Sequence, residues 1–336
     1  MKSKPTKAIN LPKLYGATRK EARYLLRSKF RALANRHRLA DAGVGKAATA
    51  ASAALRRVLG RDKKYEATIK SLVAASSKEV LELERTEAKL GGALSREMAL
   101  GLLSGSGIRD IGGSIGGVVG VTMAAAKDTR TDLRAPPYND VWTDAEGGRH
   151  QQQIVFSNKS TGRFGFGYTI GKEGGSAYCG AGVEVLFMRD APGFPPGQGP
   201  AGLAQIRTFT PYGYIWRDLS YLGPAHQHAG FGVLVWSRSL NGGPTRTDQD
   251  HEYWIWQDGT SWYEEHTNPS HPNQDFDNAL LFGDQAPYFP INPGRIYGAW
   301  IWCFGSGDAH GADVTSAGFA QALIDATARW IVIGQQ

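Results

Sequence analysis

The sequence predicts an α+β multidomain protein: an N-terminal helical bundle or hairpin carrying a glycine-zipper segment, then a C-terminal antiparallel β-sandwich of jelly-roll-like form. Three observations lead there. Charge is segregated, because residues 1–64 hold 18 Lys and Arg against three acids, whereas residues 138–336 hold 11 basic against 19 acidic residues. Aromatics are segregated in the same sense, since all nine Trp lie after residue 138. The period of the apolar residues also changes, from helical spacing in the first third to short alternating runs bounded by Gly, Pro, Asn and Asp in the rest. The expected division is a basic arm over 1–16, a helical domain over 17–126 with its glycine-rich part at 98–126, a linker over 127–140, and a Trp-rich sandwich over 141–336.

Residues 1–16 mix Lys, Pro and Gly and lack an apolar h-region, so no cleaved secretory signal is expected; localisation stays open between export by a non-classical route and association with a membrane. From residue 17 the spacing becomes helical. Ala22, Leu26, Phe30 and Leu33 fall on one face, while Arg19, Arg23, Arg27 and Arg31 form a basic face. Such a helix suits three surroundings: a bundle with a solvated charged flank, an anionic membrane surface, or nucleic acid held through its phosphates. Residues 40–60 continue as an alanine-rich helix closed by Gly60. Ile69, Val73, Ser76, Val80, Leu83, Glu87, Leu90 and Leu94 then step by four and three, as in a short coiled-coil seam.

The uncharged run from Ile111 to Ala126 sets Gly112, Gly116 and Gly120 four residues apart, with Gly113 and Gly117 as a parallel stripe. On a helix these stripes permit close backbone approach and homo-oligomer formation in lipid. The run has 16 residues, fewer than the roughly 20 that span a bilayer. The other readings are a helix packed tightly within the bundle, or a Gly-rich segment with no helix.

The second half reads as about eleven strands, with residues 316–326 open to a helix or a strand. Residues two apart on a strand share a face, which pairs Trp254 with Trp256 and Trp300 with Trp302. These rings are either sandwich core or, with Glu252 and other polar neighbours, an exposed platform for stacking a sugar. His226 and His228 form an HxH pair, the weak candidate for a metal. A cupin-like ligand set would add a Glu shortly beyond the second His, where this chain has Gly232 and Val233. Cys179 and Cys303, the two cysteines, neither demand nor exclude a disulfide.

Adjacent Glu264 and Glu265 would face opposite sides of a strand and so cannot form a facing carboxylate pair. No nucleophile elbow, P-loop or dinucleotide fingerprint occurs, so neither an enzyme nor a cofactor is expected. Two functional readings follow. One is a membrane-active, toxin-like or effector-like protein, with the sandwich recognising a surface and the basic, glycine-zipper half meeting the membrane. The alternative is a soluble module that binds a glycan or protein, anchored through its basic half to an assembly or to nucleic acid.

Overall fold

The computed structural model describes residues 16, 18–36, 130–147, 151–171, 174–189, 202–221, 224–260, 265–268, 274–277, 288–309 and 317–335. The chain divides into two compact units, residues 50–127 and the remainder, and all described residues belong to the latter. Helix α1 covers residues 18–36. Fourteen strands follow: β1 (Arg130–Arg134), β2 (Asp140–Gly147), β3 (Gln151–Asn158), β4 (Arg163–Ile170), β5 (Gly175–Met188), β6 (Gly202–Tyr221) and β7 (Ala225–Ser239). Then come β8 (Arg246–Thr260), β9 (Glu265–Asn268), β10 (Gln274–Asp277), β11 (Phe289–Ile291), β12 (Arg295–Ala309), β13 (Ala317–Thr327) and β14 (Trp330–Gln335).

The strands form two antiparallel sheets. The larger runs β1-β14-β6-β13-β4-β3, with β9, β10 and β11 also pairing with β6; the smaller runs β2-β5-β12-β7-β8. Their facing sides enclose one core, in which Phe164, Phe166, Val183, Phe231, Ile301 and Ile324 have no solvent exposure. Cys179 and Cys303 lie in this core as free thiols. Burial raises both above the usual thiol range, Cys179 to about 12, which keeps them protonated and unreactive near neutral pH.

The expectation of a helical bundle joined to a sandwich is corrected here. Among the described residues there is one helix, and it lies on the smaller sheet. Its apolar stripe, Ala22, Leu26, Phe30, Leu33 and Ala34, enters a second core with Trp142, Tyr178, Trp236, Trp300, Trp302 and Phe304 from the sheet's outer face. The strands announce this arrangement. β5, β7 and β12 are buried at nearly every position because both of their faces are covered, whereas a sheet with one wet face alternates. Each large apolar side chain of α1 gains roughly 1.5–3 kcal/mol by this burial, which a lone 19-residue helix needs in order to persist.

Glycines make room for the indoles. Trp302 on β12 lies between Gly182 on β5 and Gly232 on β7, and a Cβ at either glycine would overlap it. Gly298 leaves the same space for Trp236.

Charged rails flank the helix. On the β2 side, Arg19 and Arg23 both bind Asp140, Arg23 through Nε–Oδ2 at 2.7 Å and a second nitrogen to Oδ1 at 2.5 Å. Arg27 meets Asp144 at 2.7 Å and Arg31 meets Glu146 at 2.9 Å. On the opposite side Lys29 binds Asp250 and Glu252, each at 2.6 Å, and Glu21 accepts from Arg238 at 2.9 Å. The match is geometric as well as electrostatic. The twelve helical steps from Arg19 to Arg31 rise about 18 Å, close to the roughly 20 Å from Asp140 to Glu146 along a strand.

Asp140 is 1% exposed, so its arginines compensate a buried charge. Burial pushes its pKa up, but hydrogen bonds from Arg19, Arg23 and the Val141 amide outweigh that and hold it below the usual carboxylate value. Arg23→Ala is expected to lower stability by about 1–3 kcal/mol by leaving Asp140 under-compensated. It should also speed tryptic cleavage at Lys29 and Arg31. A time course indistinguishable from wild type would show that the rail does not hold α1.

The segment 316–326, left between helix and strand by its pattern, is β13, hydrogen-bonded to β6 on one side and β4 on the other. The strand β1 falls within 127–140 and pairs with β14. The alanine-rich helix, the heptad seam and the glycines Gly112, Gly113, Gly116, Gly117 and Gly120 lie outside the described residues. Among the described residues no helix is long and apolar enough to cross a membrane.

Candidate functional site

Of the side chains singled out from sequence, those on the smaller sheet's outer face are engaged within the molecule. Trp300 and Trp302 have no exposure and belong to the core beneath α1, so they offer no exposed platform. Glu252 is paired with Lys29. Arg19, Arg23, Arg27 and Arg31 face acidic residues of β2 rather than a partner. His226 and His228 share the outer face of β7, where His228 Nε2 contacts Ser306 Oγ and the ring meets Trp254 edge-on at 5.6 Å. Among the described residues no group of three or more His, Cys, Asp or Glu is placed to hold a metal.

Trp254 and Trp256 do not point together. The register of β7 against β8 shifts between Ala229 and Gly230, where Trp256 pairs with Ala229 and Trp254 with Gly230, leaving Ile255 as the extra residue. That bulge turns the two indoles to opposite faces. Trp254 packs edge-on against Phe304 in the core under α1, centroids 5.1 Å apart, while Trp256 enters the core between the sheets.

Trp256 leads to the site. Along β6, Tyr212, Tyr214, Trp216 and Asp218 follow one another at period two and share the inner face. Their rings stack with Trp256 from β8 into one column: Tyr212–Tyr214 at 6.0 Å, Tyr214–Trp256 at 5.3 Å and Trp216–Trp256 at 6.4 Å, all within 23° of parallel. The column begins in the core and ends at Trp216, which is only partly buried.

Polar groups from four strands close the same end of the sandwich. Asp258 on β8 lies opposite Gln227 on β7, and His266 on β9 lies opposite Asp218 on β6. The two sheets are bridged there, since Asp258 Oδ2 and His266 Nδ1 are 2.8 Å apart. Their side chains are 24% and 42% exposed, so the pair is open to solvent. Asp218 behind them is completely buried. Gln227 is buried too, and accepts a hydrogen bond on Oε1 from the Tyr168 hydroxyl at 3.2 Å.

Burial, reinforced by the charge on Asp258 and opposed by the nearby Gln227 amide, raises Asp218 to about 8. At neutral pH it is therefore a neutral carboxylic acid beside an exposed, ionisable Asp–His pair. A partly buried indole with polar groups on one side is an arrangement suited to holding a flat, hydroxyl-rich ring.

Asp258 stands two residues beyond Trp256, among the polar neighbours of that Trp-rich run, whereas Asp218 lies in no such cluster. Its signal was its phase, because it continues Tyr212, Tyr214 and Trp216 at period two and so places an acid on a buried face. Glu184, the other buried carboxyl, is the one charged residue in the long apolar strand β5. It lies under α1, accepts from Trp236 Nε1 at 2.6 Å, and is raised to about 8 by burial. Glu184 belongs to the helix-docking face, not to the rim.

No protein-family model matches the chain, and no curated protein does. Among solved structures it is similar to TmCBM61 in complex with beta-1,4-galactotriose, at 13% identity over 56% of this chain and 86% of that one, with a TM-score of 0.15. It is also similar to the enzymatically active domain of bacteriophage CBA120 tailspike protein 4, at 10% identity over 55% of this chain and TM-score 0.17, and to infectious bursal disease virus, Gx strain, at 9% identity over 62% and TM-score 0.11. The chain spans 19% and 41% of the length of those last two. Scores this low place the chain in no family, and the functional reading rests on its own side chains.

Proposed function

We propose that this protein is a glycan-binding module whose ligand stacks on Trp216 and hydrogen-bonds to the Asp258–His266 pair. The observation that carries the reading is the aromatic column ending at the partly buried Trp216 beside that open pair. Rings fixed by stacking lose little entropy on binding, and the polar pair adds orientation. A membrane-active role loses its described support, since α1 buries its apolar face on the sheet and pairs its arginines with acids.

The test is titration with neutral β-1,4-linked gluco- and galacto-oligosaccharides, followed by intrinsic tryptophan fluorescence and calorimetry. Trp216→Ala should weaken binding by at least about tenfold, equivalent to roughly 1.4 kcal/mol. Full affinity in the variant would exclude Trp216 as the platform, and no binding by wild type across the panel would overturn the reading.

A further inference from the structure

Asp218 raises a question that the fold does not answer. Its side chain has no solvent exposure, yet neither carboxylate oxygen has a hydrogen-bond partner of good geometry among the described residues. A buried acceptor without donors costs on the order of 1–3 kcal/mol, so native structures rarely keep one without a use. The groups facing it do not supply the missing donors. Asp258 is an acid, His266 is already directed to Asp258, and Gln227 offers at most a neutral amide, whose nitrogen also lacks a well-formed hydrogen bond. Arg217, the neighbouring cation on β6, projects from the other face of the strand.

We propose that the rim receives a glycan through a free amino sugar, the ammonium of a hexosamine entering between Asp258 and Asp218 while its ring lies on Trp216. This rests on the glycan-binding reading above and narrows it to a substrate class. An ammonium brings three donors and a positive charge, enough to reach both carboxyl groups, whereas a hydroxyl satisfies one oxygen and leaves the charge. A uronic acid is repelled by the same pair. The Trp216 face adds attraction for a cation.

Binding should also move a proton. Asp218, at about 8, holds its proton at pH 7 without ligand; an ammonium beside it favours the ionised form, and the proton goes to the buffer. The experiment is calorimetry on the full chain at about pH 5.5, where the sugar amine is already protonated and Asp218 still holds its proton, with three β-1,4-linked tetramers, of glucosamine, N-acetylglucosamine and glucose, each in two buffers of different ionisation enthalpy. The glucosamine tetramer is expected to bind at least about tenfold more tightly than the other two and alone to release protons. Asp218→Asn should bring its affinity ratio to the glucose tetramer near one and abolish the release. Equal affinity for all three tetramers in wild type, or a preference that survives in Asp218→Asn, overturns the amino-sugar assignment and leaves glycan binding standing. Failure of every tetramer to bind removes both.

Discussion

Trp302→Ala is expected to lower the free energy of unfolding by about 3–5 kcal/mol, near the top of what one truncation does. Trp302 has no solvent exposure, meets Trp142 edge-on at 6.3 Å and lies 5.1 Å from Phe304. The reason for so large a loss is in its neighbours. Gly182 and Gly232 flank it on the adjacent strands and contribute no side chain to the vacated space, so only rings already packed in place, such as Trp142 and Phe304, border it. The floor under α1 opens and the helix loses part of its seat. Trp302→Phe should be far milder, about 1–2 kcal/mol, because most of the ring remains and the indole nitrogen has no hydrogen-bond partner among the described residues to lose. The converse change, Gly232→Ala, drives a methyl into the indole and should cost about 1–3 kcal/mol, in part relieved when combined with a smaller residue at 302. Urea unfolding followed by far-ultraviolet circular dichroism measures all of these without depending on the removed fluorophore. A loss below about 1 kcal/mol for Trp302→Ala would mean that the space collapses and that the glycine–indole fit is not what holds this face together.

What the residues disclose by themselves is the sandwich, and the physical reason is local. β5, β7 and β12 are long apolar runs punctuated by glycine, and such runs can be read without knowing what they touch. The stripe of α1 is legible in the same way, but a stripe states only that one face must be buried. Its partner was the outer face of a sheet more than a hundred residues away, made known by Trp142, Trp302 and Phe304 packing with Phe30. The arginines carried the same ambiguity. Their four-residue spacing fits lipid, phosphate or a strand of acids, and the acids at 140, 144 and 146 on β2 decide it. The rim site was least legible. Asp218, Asp258 and His266 come from three strands in two sheets, and the bulge at Ile255, which no residue type announces, separates Trp254 from Trp256.

The second large effect is in the pH dependence of stability, and its direction is opposite to that of an ordinary salt-bridged protein. Glu184 and Asp218 both stand at about 8 in the folded chain, against ordinary values of 4.5 and 3.8 for the free side chains. Between those limits the native state binds more protons than the unfolded state, so stability falls as pH rises; above about 8 the loss is complete, and below about 4 both states are protonated. Asp140 works the other way. Its folded value is lowered, so its contribution is present above its unfolded value and disappears as pH falls through its folded value. The maximum therefore lies on the acidic side, near pH 4–5, with a decline towards pH 8. Each buried acid alone would give a slope approaching about 1.4 kcal/mol per pH unit, and relaxation with water entry reduces the combined fall between pH 5 and pH 8 to the order of 2–5 kcal/mol. Glu184→Gln keeps an acceptor for Trp236 Nε1 and removes the acid, and Asp218→Asn does the same at the rim. Each should flatten the decline and raise the urea midpoint at pH 8, with Asp218→Asn gaining stability at the expense of the amine preference. A midpoint that is constant or rises from pH 5 to pH 8 in wild type would show that neither carboxyl keeps its proton in the folded state, and the proton release expected on binding would fail with it.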